Sequence, residues 1–283
     1  LNHYRSIGEV VAIAADSTTN SGRSNLTVAV PVYNEAATVT PLLDRLYAEP
    51  TSKEIVVVDD GSTDNSGALI AEWMAEREVL NSQTTRIVHL SHRINRGKGR
   101  AIRTALAVAE GDYFLVQDAD LELCPSAYQS LLLPLNASEV DWVIGTRQAD
   151  RRRFRTGHRL GLALVNSMVR LLYGYRLSDA ACCYKVARTE RVRSMQLQCE
   201  GFEFCPEFVA KAARLNLTVR EVPVQYTPRR TQEGKKLRLV SDGLECLGTL
   251  LRYRRWQPEC SDAYNQQSPT KSYGVRDRRG RRA

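Results

Sequence analysis

The sequence predicts an α/β fold: one domain built on a Rossmann-like, mostly parallel sheet with helices on both faces. Three observations predict it. Short apolar runs alternate with amphipathic helical patterns across residues 26–145, and that βαβ order gives a parallel sheet covered by helices. Two of the runs end in paired acids, Asp59-Asp60 and Asp118-Ala119-Asp120. An acidic rim is therefore expected along the carboxyl edge of the sheet, where open α/β sheets take their ligands. The third observation is size: 283 residues with 43% hydrophobic content are enough to bury a substantial core.

Residues 1–24 read as a flexible arm, since 17–25 are rich in Ser, Thr, Asn and Gly. Residues 26–32 form the first expected strand. A helix over 36–48 places Val39, Leu42, Leu43 and Leu46 on one face. A strand at 54–58 is followed by a turn and helix over 62–80, with Ala68, Leu69, Ala71 and Met74 read as inward. A strand at 86–90, a helix at 99–109 and strands at 112–117 and 142–145 complete the alternation. Residues 160–173 are a long apolar stretch broken by Asn166, Ser167 and Arg170. Residues 237–256 read as an amphipathic basic helix. Both segments suit a membrane interface, the core or a dimer contact. The tail 257–283 is polar, ends Arg278-Arg279-Gly280-Arg281-Arg282, and is expected to be disordered.

Net charge is +8, which fits nucleic acid, anionic lipid or phosphorylated substrates. Nucleic acid is not expected, because the acidic rim would repel its phosphates. The seven cysteines include no Cys-x-x-Cys, so they read as free thiols in a reducing compartment rather than a zinc or redox site. No run of about 18 uncharged apolar residues and no signal-peptide pattern is visible. A cytoplasmic location is expected, with the sequons at Asn25, Asn136 and Asn216 unused.

Side chains alternate along a strand, so Asp118 and Asp120, two residues apart, project the same way at its end. Two hard oxygen ligands on one side suit Mg²⁺ or Mn²⁺, with substrate phosphates completing the shell. Asp59 and Asp60 can accept from a base N–H or a ribose hydroxyl. Asn95-Arg96-Gly97-Lys98-Gly99-Arg100 precedes a helix, and glycines, cations and a helix N-terminus together favour an anion. There is no Gly-x-Gly-x-x-Gly after the first strand and no P-loop, which argues against a dinucleotide fold and an NTPase.

The motifs Pro31-Val32-Tyr33-Asn34-Glu35, Val58-Asp59-Asp60-Gly61-Ser62, Asn95-Arg96-Gly97-Lys98-Gly99, Asp118-Ala119-Asp120-Leu121-Glu122 and Gly145-Thr146-Arg147 occur in this order. They resemble the inverting family 2 glycosyltransferases of GT-A fold, in particular the dolichol- or polyprenyl-phosphate mannose synthase-like branch. The resemblance extends through Ser178-Asp179, Cys183-Tyr184-Lys185, Gly201-Phe202-Glu203-Phe204, Glu221-Val222-Pro223-Val224 and the segment 229–236, and covers residues 26–256. It implies a single catalytic domain over 25–236 and a nucleotide-diphosphate sugar donor. Pro31, Tyr33 and Glu35 would hold base and ribose, and Asp60 the base. Asp118 and Asp120 would hold the metal, with Glu122 assisting where relatives often have Gln.

A sugar-hydroxyl acceptor needs a general base, for which Asp179 and Glu203 are the candidates. Relatives often carry an acid near Ala181, and none stands there. A phosphomonoester acceptor is already ionised at pH 7, so the missing acid favours a polyprenyl phosphate. Arg147, Arg151, Arg152, Arg153, Arg155 and Arg159 form one cationic cluster, and Arg229, Arg230, Lys235 and Lys236 a second. The resemblance makes these an acceptor loop and a basic loop near the phosphates, and Arg forks suit bidentate phosphate contacts. The expected partners are thus a nucleotide sugar, a lipid phosphate and a cytoplasmic membrane face, with an oligomer left open. The competing readings are a hydroxyl acceptor on a glycolipid or polysaccharide, a nucleotidyltransferase and a non-catalytic binding module.

Overall fold

The computed structural model describes residues 5–7, 10–14, 25–79, 85–147, 156–229 and 239–258. Its strands are β1 (Arg5–Ile7), β2 (Val10–Ala14), β3 (Leu26–Val32), β4 (Lys53–Asp59), β5 (Arg86–His92), β6 (Tyr113–Val116), β7 (Trp142–Thr146), β8 (Lys185–Arg188) and β9 (Val219–Pro223). The helices are α1 (Val39–Ala48), α2 (Ser66–Val79), α3 (Lys98–Val108), α4 (Tyr128–Asn136), α5 (Thr156–Tyr173), α6 (Thr189–Ser194), α7 (Phe204–Arg214) and α8 (Leu239–Arg252).

All nine strands join one sheet in the order β1-β2-β5-β4-β3-β6-β8-β7-β9. The four central strands are mutually parallel, and β7 is parallel to β9. Only β2 and β8 run against the rest, as their antiparallel pairings require. The mostly parallel sheet expected from the sequence is therefore present. Strands β4, β6 and β7 are buried along their whole length, as continuous apolar runs are when both faces are covered. The chain steps outward from β3 through β4 to β5, then returns across β3 to β6. With right-handed crossovers, α1 and α2 cover one face and α3 the other.

The chain order makes the gap between β3 and β6 a topological switch point, and the strand directions put the ends of β3, β4, β6 and β7 on one edge. Because β8 runs the other way, its beginning lies there too, so the turn before Lys185 lands on the same rim.

Three expectations change. Part of the segment read as an arm is a hairpin: β1 and β2 pair, and β2 extends the sheet beyond β5. The run Val10-Val11-Ala12-Ile13-Ala14 is β-forming and finds a free edge to pair with. The inward face of α2 is Ile70, Trp73 and Met74, while Ala68 and Ala71 are exposed, because the larger side chains bury more apolar area. The helix over 237–256 ends as α8 at Arg252, continued by a single 3-10 turn, Tyr253–Arg255. The tail 259–283 lies outside the described residues.

Candidate active site

The carboxyl edge opens into a cavity of about 480 Å³. Pro31 enters it from the end of β3 and Tyr33 and Glu35 from just beyond, Asp60 after β4, Asp118, Asp120 and Glu122 after β6, and Arg147 after β7. Lys98 reaches in from the start of α3. The opposite wall is Val165 and Val169 of α5, Ala180, Ala181 and Cys183 before β8, Cys205 of α7 and Cys246 of α8. One end is thus acidic and the other largely apolar.

Gln117, fully buried where the strand pattern would allow an apolar residue, organises the acidic turn. Its amide donates to the Asp118 carbonyl (3.0 Å) and the Leu123 carbonyl (3.4 Å), and its oxygen accepts from the Tyr128 (2.8 Å) and Tyr184 (2.5 Å) hydroxyls. Leu121 then takes φ +60, a left-handed conformation costly for a branched side chain, and Glu122 N–H closes onto Asp120 Oδ1 at 3.0 Å. Asp118 and Asp120 both line the cavity, from the turn beyond β6 rather than from the strand itself. Burial, the Asp118 carboxylate and Glu122 push the Asp120 carboxyl up to about 7. Asp118 has a counter-charge: Lys98 Nζ stands 2.5 Å from its Oδ1. Burial alone would lower the Lys98 ammonium, and Asp118 instead raises it well above the ordinary lysine value.

The pair fits a hard divalent cation. Its donors are carboxylate oxygens, and the crowding that raises Asp120 is what an added positive charge would relieve. Among the described residues no group of three or more His, Cys, Asp or Glu side chains is placed to hold a metal ion.

Asp60 is almost fully engaged in shaping the rim. It accepts from the amides of Arg96 (3.0 Å) and Gly97 (2.7 Å) and shares a 2.6 Å hydrogen bond with His92 Nδ1. Asp59, expected beside it in the ligand site, is turned away: it accepts from Ser62 N–H and packs against Gly67. Adjacent residues at a strand end point to opposite faces, so only one of the two acids lines the cavity. The anion site expected at the start of α3 is also changed. Gly99 and Arg100 N–H donate to the Gly201 and Glu200 carbonyls, and Gly97 and Arg96 N–H to Asp60, which leaves the Lys98 side chain as the cationic group facing the cavity from this segment.

Arg229 ties the nucleoside side to the acidic turn. Its guanidinium meets Glu35 Oε2 (2.5 Å), Thr38 Oγ1 (3.0 Å) and the Asp120 carbonyl (2.8 Å), while its amide donates to Glu122 Oε1 (2.9 Å). A bridge between Leu123 and Tyr226 continues the contact.

Neither candidate base lines the cavity. Asp179 is fully buried, and Arg147 grips both its oxygens through Nε (2.8 Å), Nη2 (2.7 Å) and the backbone amide (3.1 Å). Burial would raise its carboxyl, yet the Arg147 fork holds it below the usual range. Its loop is fixed in turn by Glu221, which accepts from Ser178 and Asp179 amides. Glu203 lies outside the cavity lining; its Oε1 accepts from the amides of Glu200 and Gly201, and its Oε2 is buried without a hydrogen-bond partner. Arg153, Lys235 and Lys236 fall outside the described residues. Sequence reading missed Gln117, Tyr226 under the Arg147 guanidinium (5.2 Å to the ring centre), and the Val165–Val169 wall. A polar Gln at the end of an apolar strand was the one legible signal among them.

The fold is that of an α/β transferase, and the chain belongs to glycosyl transferase family 2, whose profile matches residues 27–193. Among curated proteins it is 30% identical over 237 residues to the undecaprenyl-phosphate 4-deoxy-4-formamido-L-arabinose transferase of Edwardsiella ictaluri, covering 79% of this chain and 68% of that one. It is 26% identical over 257 residues to the dolichyl-phosphate beta-glucosyltransferase of Saccharomyces cerevisiae, covering 81% and 74%. Among solved structures, glucosyl-3-phosphoglycerate synthase from Mycobacterium tuberculosis with uridine diphosphate superposes with a TM-score of 0.61 at 21% identity, over 82% of this chain and 80% of that one. The same enzyme with Mn²⁺, uridine diphosphate and glucosyl-3-phosphoglycerate gives 0.58 at 21% identity, with the same coverage. The GT-A fold expected from the sequence is the fold of this chain.

Proposed function

We propose that the protein transfers a sugar from a nucleotide-diphosphate sugar to a polyprenyl phosphate, with inversion at the anomeric carbon, using Mg²⁺ or Mn²⁺. The observation that carries this reading is one cavity with an acidic, cation-fitting end and a largely apolar end, with Arg147 also lining it. The named activities of the two curated relatives support a lipid-phosphate acceptor. The neighbour bound to Mn²⁺ and uridine diphosphate supports the donor and the metal.

In this reading Pro31, Tyr33, Glu35 and Asp60 form the nucleoside side. Asp118 and Asp120 hold the metal with Glu122 beside them; when bound, the ion neutralises charge on the departing nucleoside diphosphate. The Arg147 guanidinium, held rigid by Asp179, meets the acceptor phosphate. That phosphate has a second pKa of about 6 and is largely ionised at pH 7, so no side chain has to remove a proton. Its oxygen forms the bond to the anomeric carbon as the bond to the diphosphate oxygen breaks. The carboxylates lining the cavity among the described residues are Glu35, Asp60, Asp118, Asp120 and Glu122, all at the donor end. The far wall offers apolar groups and Cys183, whose thiol burial raises well above its ordinary value.

Among the described residues no helix is long and apolar enough to cross a membrane. The lipid-phosphate acceptor is what places the proposed reaction at a membrane surface, on its cytoplasmic face, where a polyprenyl phosphate presents its headgroup. The test is product analysis with radiolabelled nucleotide sugars, a polyprenyl phosphate and either Mg²⁺ or Mn²⁺. Label is expected in the lipid extract and is lost in excess chelator. Label passing instead to a soluble sugar, with polyprenyl phosphate ignored, would overturn the reading in favour of a hydroxyl acceptor.

A further inference from the structure

Lys98 occupies a position that the glycosyl-transfer reading leaves unexplained. Its ammonium does not point to solvent or to a helix end; it forms an ion pair with Asp118, one of the two carboxylates proposed to hold the metal. The side chain is 16% exposed and that of Asp118 23%, so water screens the pair only partly. Cys183 Sγ at 3.5 Å and the Phe202 ring at 5.9 Å also face the ammonium, with Cys205 nearby. Its starting point is rigid as well. Asp60 fixes the amides of Arg96 and Gly97, and the Gly201 and Glu200 carbonyls fix those of Gly99 and Arg100.

We propose that Lys98 is an internal competitor of the divalent cation, and that this competition makes metal binding depend on the nucleotide. The inference rests on the metal-dependent reading above. In the arrangement seen here Lys98 neutralises Asp118 and leaves Asp120 crowded against Asp118 and Glu122. A cation entering alone would share Asp118 with a fixed positive charge beside it, so its affinity is low. A nucleoside diphosphate brings oxygens that accept from the Lys98 ammonium. Lys98 moves from carboxylate to phosphate, Asp118 becomes available, and the cation binds. Linkage requires the converse: the cation raises nucleotide affinity by the same factor. Lys98 is thus a positioning residue that couples the two ligands. Without it, the cation would occupy the site before any donor arrived.

The decisive measurement is Mn²⁺ binding followed by electron paramagnetic resonance, on the full chain without nucleotide. Lys98→Met removes the charge and keeps the length of the stem. It is expected to bind Mn²⁺ at least about tenfold more tightly than the wild type, a change equivalent to about 1.4 kcal/mol. Lys98→Arg keeps the charge and is expected to stay weak. Adding uridine diphosphate is expected to tighten Mn²⁺ binding by the wild type far more than by Lys98→Met. Lys98→Gln serves as a second neutral variant, and thermal melting checks that each variant is folded. Unchanged or weaker Mn²⁺ binding by folded neutral variants would overturn the competition. Equal wild-type affinity with and without the nucleotide would do so too. Failure of every protein to bind Mn²⁺, with the nucleotide bound, would instead remove the metal from the proposed function and take this inference with it.

Discussion

Arg147 and Asp179 illustrate how a residue serves the site without touching a substrate. Asp179 has both oxygens occupied by Arg147, so its contribution is to aim the guanidinium. Asp179→Ala breaks a buried ion pair by removing the carboxylate that accepts from Arg147 Nε, Nη2 and amide, and urea unfolding should show a loss of about 3–5 kcal/mol. Because the two act as a unit, activity of the double variant Arg147→Ala/Asp179→Ala should be no lower than that of Arg147→Ala alone; a further loss would restore Asp179 as a base. His89 makes a different residue-scale prediction. Burial lowers its pKa below 6.5, partly opposed by Asp59, and its Nδ1 is buried without a partner. Between the lowered folded value and 6.5 the unfolded chain binds more protons. Stability therefore falls as pH drops through that window and does not change further below it on this account. Unfolding at pH 7.5 and 5.5 should show a smaller acid loss in His89→Gln than in the wild type. Asp118 and Asp120 were legible in the sequence as a spaced acidic pair just after an apolar run, but the turn beyond β6, held by Gln117, is what brings both to the cavity. Asp59 was misread because strand alternation sends it to the other face of its strand.

Helices α5 and α8 show what periodicity leaves open. On α5, Leu160, Leu164 and Leu171 are 52–78% exposed, and on α8, Leu244 and Leu251 are 66% and 54% exposed. Spacings of four and seven put each set on one helix face. Val165 and Val169 point the other way, into the core and the cavity wall. Arg159, Arg170 and Arg252 are exposed on the same two helices. The proposed membrane surface fits this strip, with leucines entering the interface and arginines meeting anionic headgroups. The pair Leu164→Glu and Leu251→Glu should abolish flotation with anionic vesicles and leave the melting temperature nearly unchanged, since exposed substitutions shift stability by no more than about 0.5 kcal/mol. Retained binding would move the contact elsewhere. That 160–173 is apolar was plain in the sequence, but which side faces the core depends on packing against α7 and α8. The strand β8 was missed for a related reason. It spans four residues and starts at Lys185, which is buried because its ammonium donates to the Ala180 and Cys182 carbonyls, a pattern that reads as surface until those carbonyls are in place.

Across the whole molecule, parallel strands separated in sequence deliver their ends to one edge, which is why the rim was readable from chain order. The contacts that unite the rim come from far along the chain and were not readable. Arg229 reaches back to Glu35, 194 positions earlier. Arg229→Ala should weaken nucleoside diphosphate binding in calorimetry by about 1.5–3 kcal/mol, the scale of hydrogen bonds to charged groups, because it frees both Glu35 and the acidic turn; unchanged affinity would reduce Arg229 to a brace. A second long-range contact lies in the segment that carries Lys98. Gly97, at φ +92, and Gly99 approach the backbone of Glu200 and Cys199 so closely that a Cβ at either would collide with it. The turn at 97–99 and the segment 199–206, which lines the cavity through Gly201, Phe202, Cys205 and Pro206, are keyed together, like two parts of one casting. For anyone reshaping this enzyme toward a new acceptor, the consequence is practical. Changes to that segment will be paid in donor Michaelis constant as well, and libraries that vary both segments together should outperform those that vary either alone.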